Sequence, residues 1–389
     1  MTLAQTRSTE VAILVETSTS WGTEIVRGIA AYAERHGPWF FYLEPRGRYE
    51  SLHLPAHWKG RGIIARVITP VLAREIIASG IPAVNVSSFD FEPGRIPTCT
   101  SDEQAIGVLV AEHFLHRGFT QFAYCGVENR PGYIDRMGQS FLRRVQKSGF
   151  AARTFNSAQS PNVARTWRQQ RRSLGRWLER LPKPVGLLVW NDVRGHQITE
   201  ACRYSGISVP DEVAVIGGEY DELTGSIASP PLSSVDPGAF GIGYRAAELL
   251  DRLMAKKSAP AKPIRVAPVG IMVRASSDTV AVDDPELAAA VRYIHQRAIN
   301  GISVKDVVQH ISLSRRGLEL KFQRYLGHSP AREIRRIQLD KARRLLTNTR
   351  MTIPQVAAAC GFSSPETFTK IFRRSMDLPP TAYRNNMQK

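Results

Sequence analysis

The 389-residue chain has only four cysteines, Cys99, Cys125, Cys202 and Cys360, and no two of them stand at Cys-x-x-Cys spacing. That excludes a clustered zinc site and a disulfide framework, and fits isolated buried thiols in a reducing compartment. Long apolar runs are missing as well. The longest, such as Val185–Trp190, have the length of a strand, whereas a helix crossing a bilayer needs ~20 residues. The first ten residues contain no apolar stretch of the kind a secretory leader has, so a cytoplasmic location is expected. Catalytic signatures are absent too: no Gly-x-Gly-x-x-Gly after a strand, no Gly-x-x-x-x-Gly-Lys loop and no His-Glu-x-x-His. Gly238, Gly241 and Gly243 have the wrong spacing for a dinucleotide loop. His53 and His57, the histidines nearest to ligand spacing, lie in a proline-containing loop. No metal, cofactor or catalytic residue is expected.

Charge is abundant and unevenly placed. Lys plus Arg number 52 against 35 Asp plus Glu, a formal net charge of +17. Residues 287–389 hold 19 basic and 6 acidic side chains, whereas the first 286 residues hold 33 and 29. A nearly balanced body with a basic carboxyl-terminal segment implies a polyanionic partner for that segment.

The body alternates short apolar runs with helical periodicity. Val11–Val15, Trp39–Leu43, Gly62–Ala65 and Pro82–Val86 read as strands, with helices over 23–35, 72–78 and 102–116. A second set begins with a strand at 121–125. It continues through helices 136–148 and 163–180, strand 185–190, helix 193–204 and strand 213–217, and a helix over 238–256 closes it. Repeated β–α units predict parallel sheets with right-handed crossovers. Two sets predict two Rossmann-like α/β lobes with a cleft between them. Ligands bind outside the carboxyl ends of such strands, and the residues there are the candidates: Trp21 in the loop 16–21, Ser87–Asp90, Arg136, Asn191 with Asp192, and Glu219. One large aromatic, one guanidinium, carboxylates and an amide can hold vicinal hydroxyls and cover the C–H face of a sugar ring.

The basic segment repeats itself. Residues 307–324 align with 357–374: Ser314 with Ser364, Leu318 with Phe368, Phe322 with Phe372, Arg324 with Arg374, and farther on Pro330 with Pro380. Each copy reads as a short apolar helix, a tight turn, and a second helix opened by a serine N-cap, which is a helix-turn-helix. In the first copy Leu318, Phe322 and Tyr325 form the expected inward stripe, leaving Arg315, Arg316, Glu319 and Gln323 outward. In the second, Phe368, Phe372 and Ile371 face inward, leaving Glu366, Thr367, Thr369, Lys370 and Arg373. Such faces can bind phosphates and read base edges. The helix between the copies, from Pro330 to Leu346, is a rigid spacer of ~26 Å at 1.5 Å per residue, near one DNA turn of ~34 Å. Residues 1–10 are expected to be a tail, 11–275 the sensor, 276–286 a linker and 287–389 the DNA-binding domain.

The segment Ala357–Ser364 with Phe368, Phe372 and Pro379–Arg384 resembles the AraC/XylS-type DNA-binding domain, with Asp377 where that family has glycine. The body resembles the LacI/GalR-type effector domain, related to periplasmic sugar-binding proteins, through Val215–Glu219, Trp190–Asp192 and Arg136–Phe141. Glu219 stands where that family has aspartate. The resemblance implies a sugar-responsive transcription activator that acts as a homodimer on double-stranded operator half-sites and works with RNA polymerase. Its implied effector is a monosaccharide, D-xylose favoured, contacted by Arg136, Asn191, Asp192 and Glu219. Another aldose, a carbohydrate-active enzyme on the same scaffold, and an exported sugar carrier are the alternatives. The enzyme lacks a base–nucleophile pair or nucleotide loop, and the carrier would have no use for the basic domain.

Overall fold

A computed structural model of the chain describes residues 9–47, 50–127, 131–157, 167–282 and 284–388. The first lobe is built from β1 (Thr9–Leu14), α1 (Ser20–His36), β2 (Trp39–Leu43), β3 (Gly62–Ala65), α2 (Pro70–Ser79) and β4 (Ala83–Asn85). Its four strands are parallel in the order β2-β1-β3-β4. The chain then runs through β5 (Cys99–Ser101) into the second lobe: α3 (Glu103–Leu115), β6 (Gln121–Val127), α4 (Arg136–Lys147), β7 (Ala152–Ser157), α5 (Trp167–Glu179), β8 (Val185–Val189), α6 (Asp192–Tyr204), β9 (Val213–Gly217), α7 (Glu222–Ile227) and β10 (Ser233–Asp236). It returns through α8 (Ala239–Met254) and β11 (Ile264–Val266), then crosses again into β12 (Gly270–Met272). The second sheet has the order β12-β10-β9-β8-β6-β7, with only β12 antiparallel. Both lobes have the expected parallel β–α construction. Their central strands are buried on both faces, which is why they read as continuous apolar runs.

Two expectations about this body are corrected. Helix 238–256 does not close the second lobe: α8 packs on α1 and on β3, β4 and β5 of the first. Its glycines explain themselves there. A Cβ on Gly28 of α1 would lie 2.1 Å from the Phe240 carbonyl oxygen, and one on Gly243 of α8 would lie 2.1 Å from that of Ile25. The two helix backbones touch, and only glycine permits that approach. The expected linker also starts too early. Ser276 and Ser277 are fully buried, and the Ser276 hydroxyl donates to the Val215 carbonyl at 2.7 Å while accepting from the Ser233 N–H. The connection is therefore shorter than 276–286. The tail is shorter too, since β1 already starts at Thr9; residues 1–8, and 163–166 of the expected helix 163–180, lie outside the described residues. All four cysteines are buried and unbridged.

The last third is helical: α9 (Pro285–Arg297), α10 (Val304–His310), α11 (Arg315–Leu326), α12 (Pro330–Asn348), α13 (Ile353–Ala359), α14 (Pro365–Met376) and α15 (Pro380–Gln388). α10–α11 and α13–α14 are the two helix-turn-helix units, each over its own core. Phe322 lies in one core and Phe368 and Phe372 in the other, all with no exposed surface. Each buried phenylalanine is worth about 1.5–3 kcal/mol. Ser314 and Ser364 cap α11 and α14 by accepting from Gly317 and Thr367 N–H. The inward stripe of the first unit is corrected in one place: Tyr325 is 39% exposed, and Leu326 fills the position instead. α12 is anchored by Glu333, 1% exposed, which lies 2.6 Å from Arg336 and 2.9 Å from His295 of α9. Burial opposes ionisation of Glu333, yet Arg336 and His295 hold its carboxyl well below the ordinary range.

Gly327 ends α11 at φ 70°, and Asp377, fifty residues on, ends α14 at φ 56°. The same left-handed cap is thus made once by glycine and once by a residue that resists it. Asp377→Gly is expected to raise stability by on the order of 1 kcal/mol, the relieved strain of about 1–3 less the about 0.4–1 that glycine adds to the unfolded chain's freedom, read as an increased urea midpoint with unchanged slope.

Candidate functional site

The carboxyl ends of the central strands of both sheets face one cleft. β1 leads into Glu16, 2% exposed, and β3 leads directly into Arg66. These two form a buried ion pair. The Arg66 guanidinium also lies over the Trp21 ring, 4.6 Å from its centroid. Burial lowers the affinity of Arg66 for its proton, and Glu219 at the end of β9 opposes that effect. A cation of the first lobe therefore feels a carboxylate of the second across the cleft.

Aromatic rings line the same opening. Phe89, after β4, stacks on Tyr133 of the second lobe at 5.0 Å. The Trp190 indole N–H donates to the Tyr133 hydroxyl at 3.1 Å. Glu103, at the start of α3, accepts from Tyr133 at 3.4 Å and keeps one buried oxygen without a hydrogen-bond partner. Burial pushes its carboxyl up to about 7; Asp135 adds to the rise, and Ser88 and Arg136 oppose it. Arg136 opens α4 within the field of Glu103. The Asn191 side chain caps α6 by accepting from Arg194 N–H at 3.0 Å. The lobes are closed on one another: Ser20 N–H donates to Asp221 at 3.2 Å, Glu222 N–H to the Ser20 hydroxyl at 2.9 Å, and Asp90 N–H to the Gly132 carbonyl at 2.7 Å.

The candidates thus separate. Arg136, Asn191 and Glu219 stand at the expected strand and helix ends. Trp21 is no open stacking plane: it is 6% exposed and Arg66 covers one face. Phe89 is no more open, 8% exposed and stacked on by Phe91 as well as Tyr133, so the half-buried rings of Tyr133 and Trp190 are the aromatic surfaces left. Asp192 is fully buried, and its Oδ2 accepts from Asp221 N–H and the Ser234 hydroxyl, both at 2.8 Å. It ties together the ends of β8, β9 and β10 and does not line the cleft. Arg66 and Glu103 were missed. Arg66 was findable, because it follows a strand directly; Glu103 looked like an ordinary first-turn acid of a helix. Between the lobes, Arg66 feels Glu219, and Glu103 lies beside Arg136 and the Tyr133–Trp190 pair.

On the helical domain, Arg315, Arg316, Glu319 and Gln323 of α11 are exposed, and so are Glu366, Thr367, Lys370 and Arg373 of α14. Thr369 is half-buried, its hydroxyl donating to the Pro365 carbonyl at 2.8 Å. Arg315 pairs with Glu319 at 3.1 Å. Leu320, 62% exposed, sits among these polar residues and was not anticipated; an apolar side chain there suits the methyl group of a thymine. Lys321 is held by Asp284 and Glu286 on the other side. Among the described residues no group of His, Cys, Asp and Glu could hold a metal ion, and no helix is long and apolar enough to cross a membrane.

Known proteins are similar to both parts of the chain. Residues 111–277 match the periplasmic binding protein-like domain, and residues 307–386 match a helix-turn-helix domain. The chain is 27% identical over 388 residues to the xylose operon regulatory protein of Escherichia coli K12, covering 98% of both chains. It is 27% identical over 385 residues to that of Haemophilus influenzae, covering 97% of this chain and 98% of the other. The solved structure of a xylose-binding transcription activator superposes with a TM-score of 0.63 at 26% identity, covering 98% of each chain. A LacI family regulator from Enterococcus faecium with bound ribose shares the sensor fold, with a TM-score of 0.53 at 16% identity, covering 69% of this chain and 98% of the other.

Burial pushes the Asp192 carboxyl up to about 8 from 3.8, while its bonds to Asp221 and Ser234 oppose the rise. A folded-state value above the unfolded one means that folding takes up a proton. The stability this contributes is complete below pH ~4 and is lost as pH rises through about 8. Asp192→Asn is expected to flatten that part of the stability–pH curve. Asp192→Ala is expected to lose about 1–3 kcal/mol by stranding two buried donors. Urea unfolding across pH 4–9 reads both.

Proposed function

We propose that this chain is a xylose-responsive activator of sugar-utilisation genes, working in the cytoplasm as a homodimer on operator half-sites and engaging RNA polymerase. The chain is a transcription regulator in architecture, a sugar-binding type of sensor ahead of a double helix-turn-helix, and not an enzyme. The observation that carries the effector reading is the set of opposed groups in the cleft. Arg66, Arg136 and Asn191 supply donors, Glu219 and Glu103 supply acceptors, and Tyr133 and Trp190 supply ring faces. A pentose offers vicinal hydroxyls and a C–H face that such a set can satisfy at once. Because these groups come from both lobes, the sugar binds the closed form better than the open one. That difference in affinity is all that can shift the population.

The two reading helices, α11 and α14, would enter successive major grooves, held apart by the 19 residues of α12, ~28 Å of helix. Their arginines and lysine supply phosphate and base contacts. Affinity should fall steeply with salt as counterions are released.

Two measurements test the reading. Calorimetry with D-xylose and other aldoses is expected to show binding that Arg66→Ala weakens at least tenfold, the loss of one charge-assisted hydrogen-bond set. An affinity unchanged in that variant rejects the cleft. In fluorescence anisotropy, Arg316→Ala is expected to cost about 1–3 kcal/mol of operator affinity and to relax preference at one base position. Identical affinity and preference would mean that the face is misassigned.

A further inference from the structure

The chain crosses between the lobes three times: from β5 into α3, from β10 into α8, and from β11 into β12. These crossings are laced together. Asp102 N–H donates to the Val266 carbonyl at 2.7 Å, and Val269 N–H donates to the Asp236 carbonyl at 2.9 Å. Any rotation of one lobe on the other must change backbone angles here, because the rest of each lobe is a packed sheet. Pro268 sits in the middle of the third crossing, between strands that pair with different sheets. It has no N–H, so its carbonyl is its one backbone hydrogen-bonding group.

That carbonyl accepts from the helical domain. Arg343 Nη2 of α12 donates to the Pro268 oxygen at 3.0 Å. The next residue, Arg344, lies with Nη1 3.4 Å from Met272 Sδ, at the end of the same crossing. A cavity of about 810 Å³ opens on one side, walled by Thr17–Trp21, the 236–241 crossing, Thr347, Thr349 and Arg350. A second, of about 470 Å³, opens on the other, walled by His113, Arg117, Ile271, Arg336 and Arg344. Between these two volumes, the Arg343 and Arg344 side chains tie α12 to the third crossing. Elsewhere the helical domain meets the sensor through His328 against His116, ring centroids 5.5 Å apart, and His295 at 3.4 Å from Asp278.

α12 also controls both readers. Gln338, 3% exposed, donates to the Ala298 carbonyl just ahead of the first unit at 3.0 Å, and to that of Gly361 inside the second at 3.1 Å. Arg343 itself donates through Nε to the Tyr383 hydroxyl of α15 at 3.3 Å. We infer that Arg343 is a positioning residue: it couples the third lobe crossing to α12, so that lobe closure sets the placement of both reading helices together. It lies neither in the cleft nor on a reading face, so it acts on the link between two sites and not on either site. This rests on the proposed sugar-dependent DNA binding and says by which contact that dependence is transmitted.

The test is a linkage measurement on the full chain. Operator affinity is measured by anisotropy with and without saturating D-xylose, and xylose affinity by calorimetry without DNA, for the parent chain, Arg343→Met and Tyr383→Phe. Coupling between sites is commonly 5–150-fold. Arg343→Met keeps the apolar stem and removes the donors. It is expected to keep xylose affinity and xylose-free operator affinity within about twofold, which shows that it is folded, while its xylose-dependent change falls toward 1. Tyr383→Phe removes the other partner of the same side chain and is expected to keep the parent's change. Full coupling in Arg343→Met overturns the inference, and so does equal loss in Tyr383→Phe, since the role would then lie within the helical domain. A parent chain that binds its operator identically with and without xylose fails at an earlier step, and that result is distinct because the variants are then not needed to see it.

Discussion

Two sheets share three strand crossings, and everything the molecule does with a ligand passes through them. A parallel β–α lobe is stiff, because its strands are covered on both faces. Relative motion is confined to the segments that leave one sheet for the other. The cleft lies beside those segments because strand carboxyl ends and crossing points coincide. α12 is docked on the same place. Sensing and DNA reading are therefore neighbours in space although they are remote in sequence.

Within the cleft, charge is divided between groups that hold the site and groups that face the opening. Asp192 is buried under two donors and keeps three strand ends in register. Trp21 and Glu16 fix Arg66 from below and behind. Arg66 is then presented to Glu219 without freedom to wander, which lowers the ordering cost of binding. The stack of Phe89 on Tyr133 forms only where the lobes meet, whereas Tyr133 and Trp190 are joined within the second lobe.

The helical domain solves a different problem. Two small units, one with a mostly aliphatic core around Phe322 and one with a core of several aromatics, are too slight to fix their own separation. α12 supplies it, stiffened by the buried Glu333 with Arg336 and His295. Asp377 keeps the left-handed cap that Gly327 makes at lower strain, so the two units retain one geometry despite a less suitable residue.

How much of this could be read along the chain depends on the range of the interaction. Strands buried on both faces, serine caps and the fifty-residue repeat are local or periodic, and the sequence carries them openly; the lobes, the two helix-turn-helix units and the positions of Arg136, Asn191 and Glu219 followed. Burial of a particular side chain is not local. Trp21 and Asp192 had the right chemistry at the right strand ends, but Arg66 and Ser234, forty and more residues away, occupy them. α8 had helical periodicity but nothing in its own residues to say which lobe it covers; the glycine facing Ile25 shows its meaning only when α1 is in place. Sequence alone determined which elements form and where their polar ends lie, because hydrogen bonding and hydrophobic periodicity act between near neighbours. Which of those ends stay open to a ligand, and that α12 rests on the crossing at Pro268, was decided by tertiary packing, since only the folded chain brings together residues that share no segment.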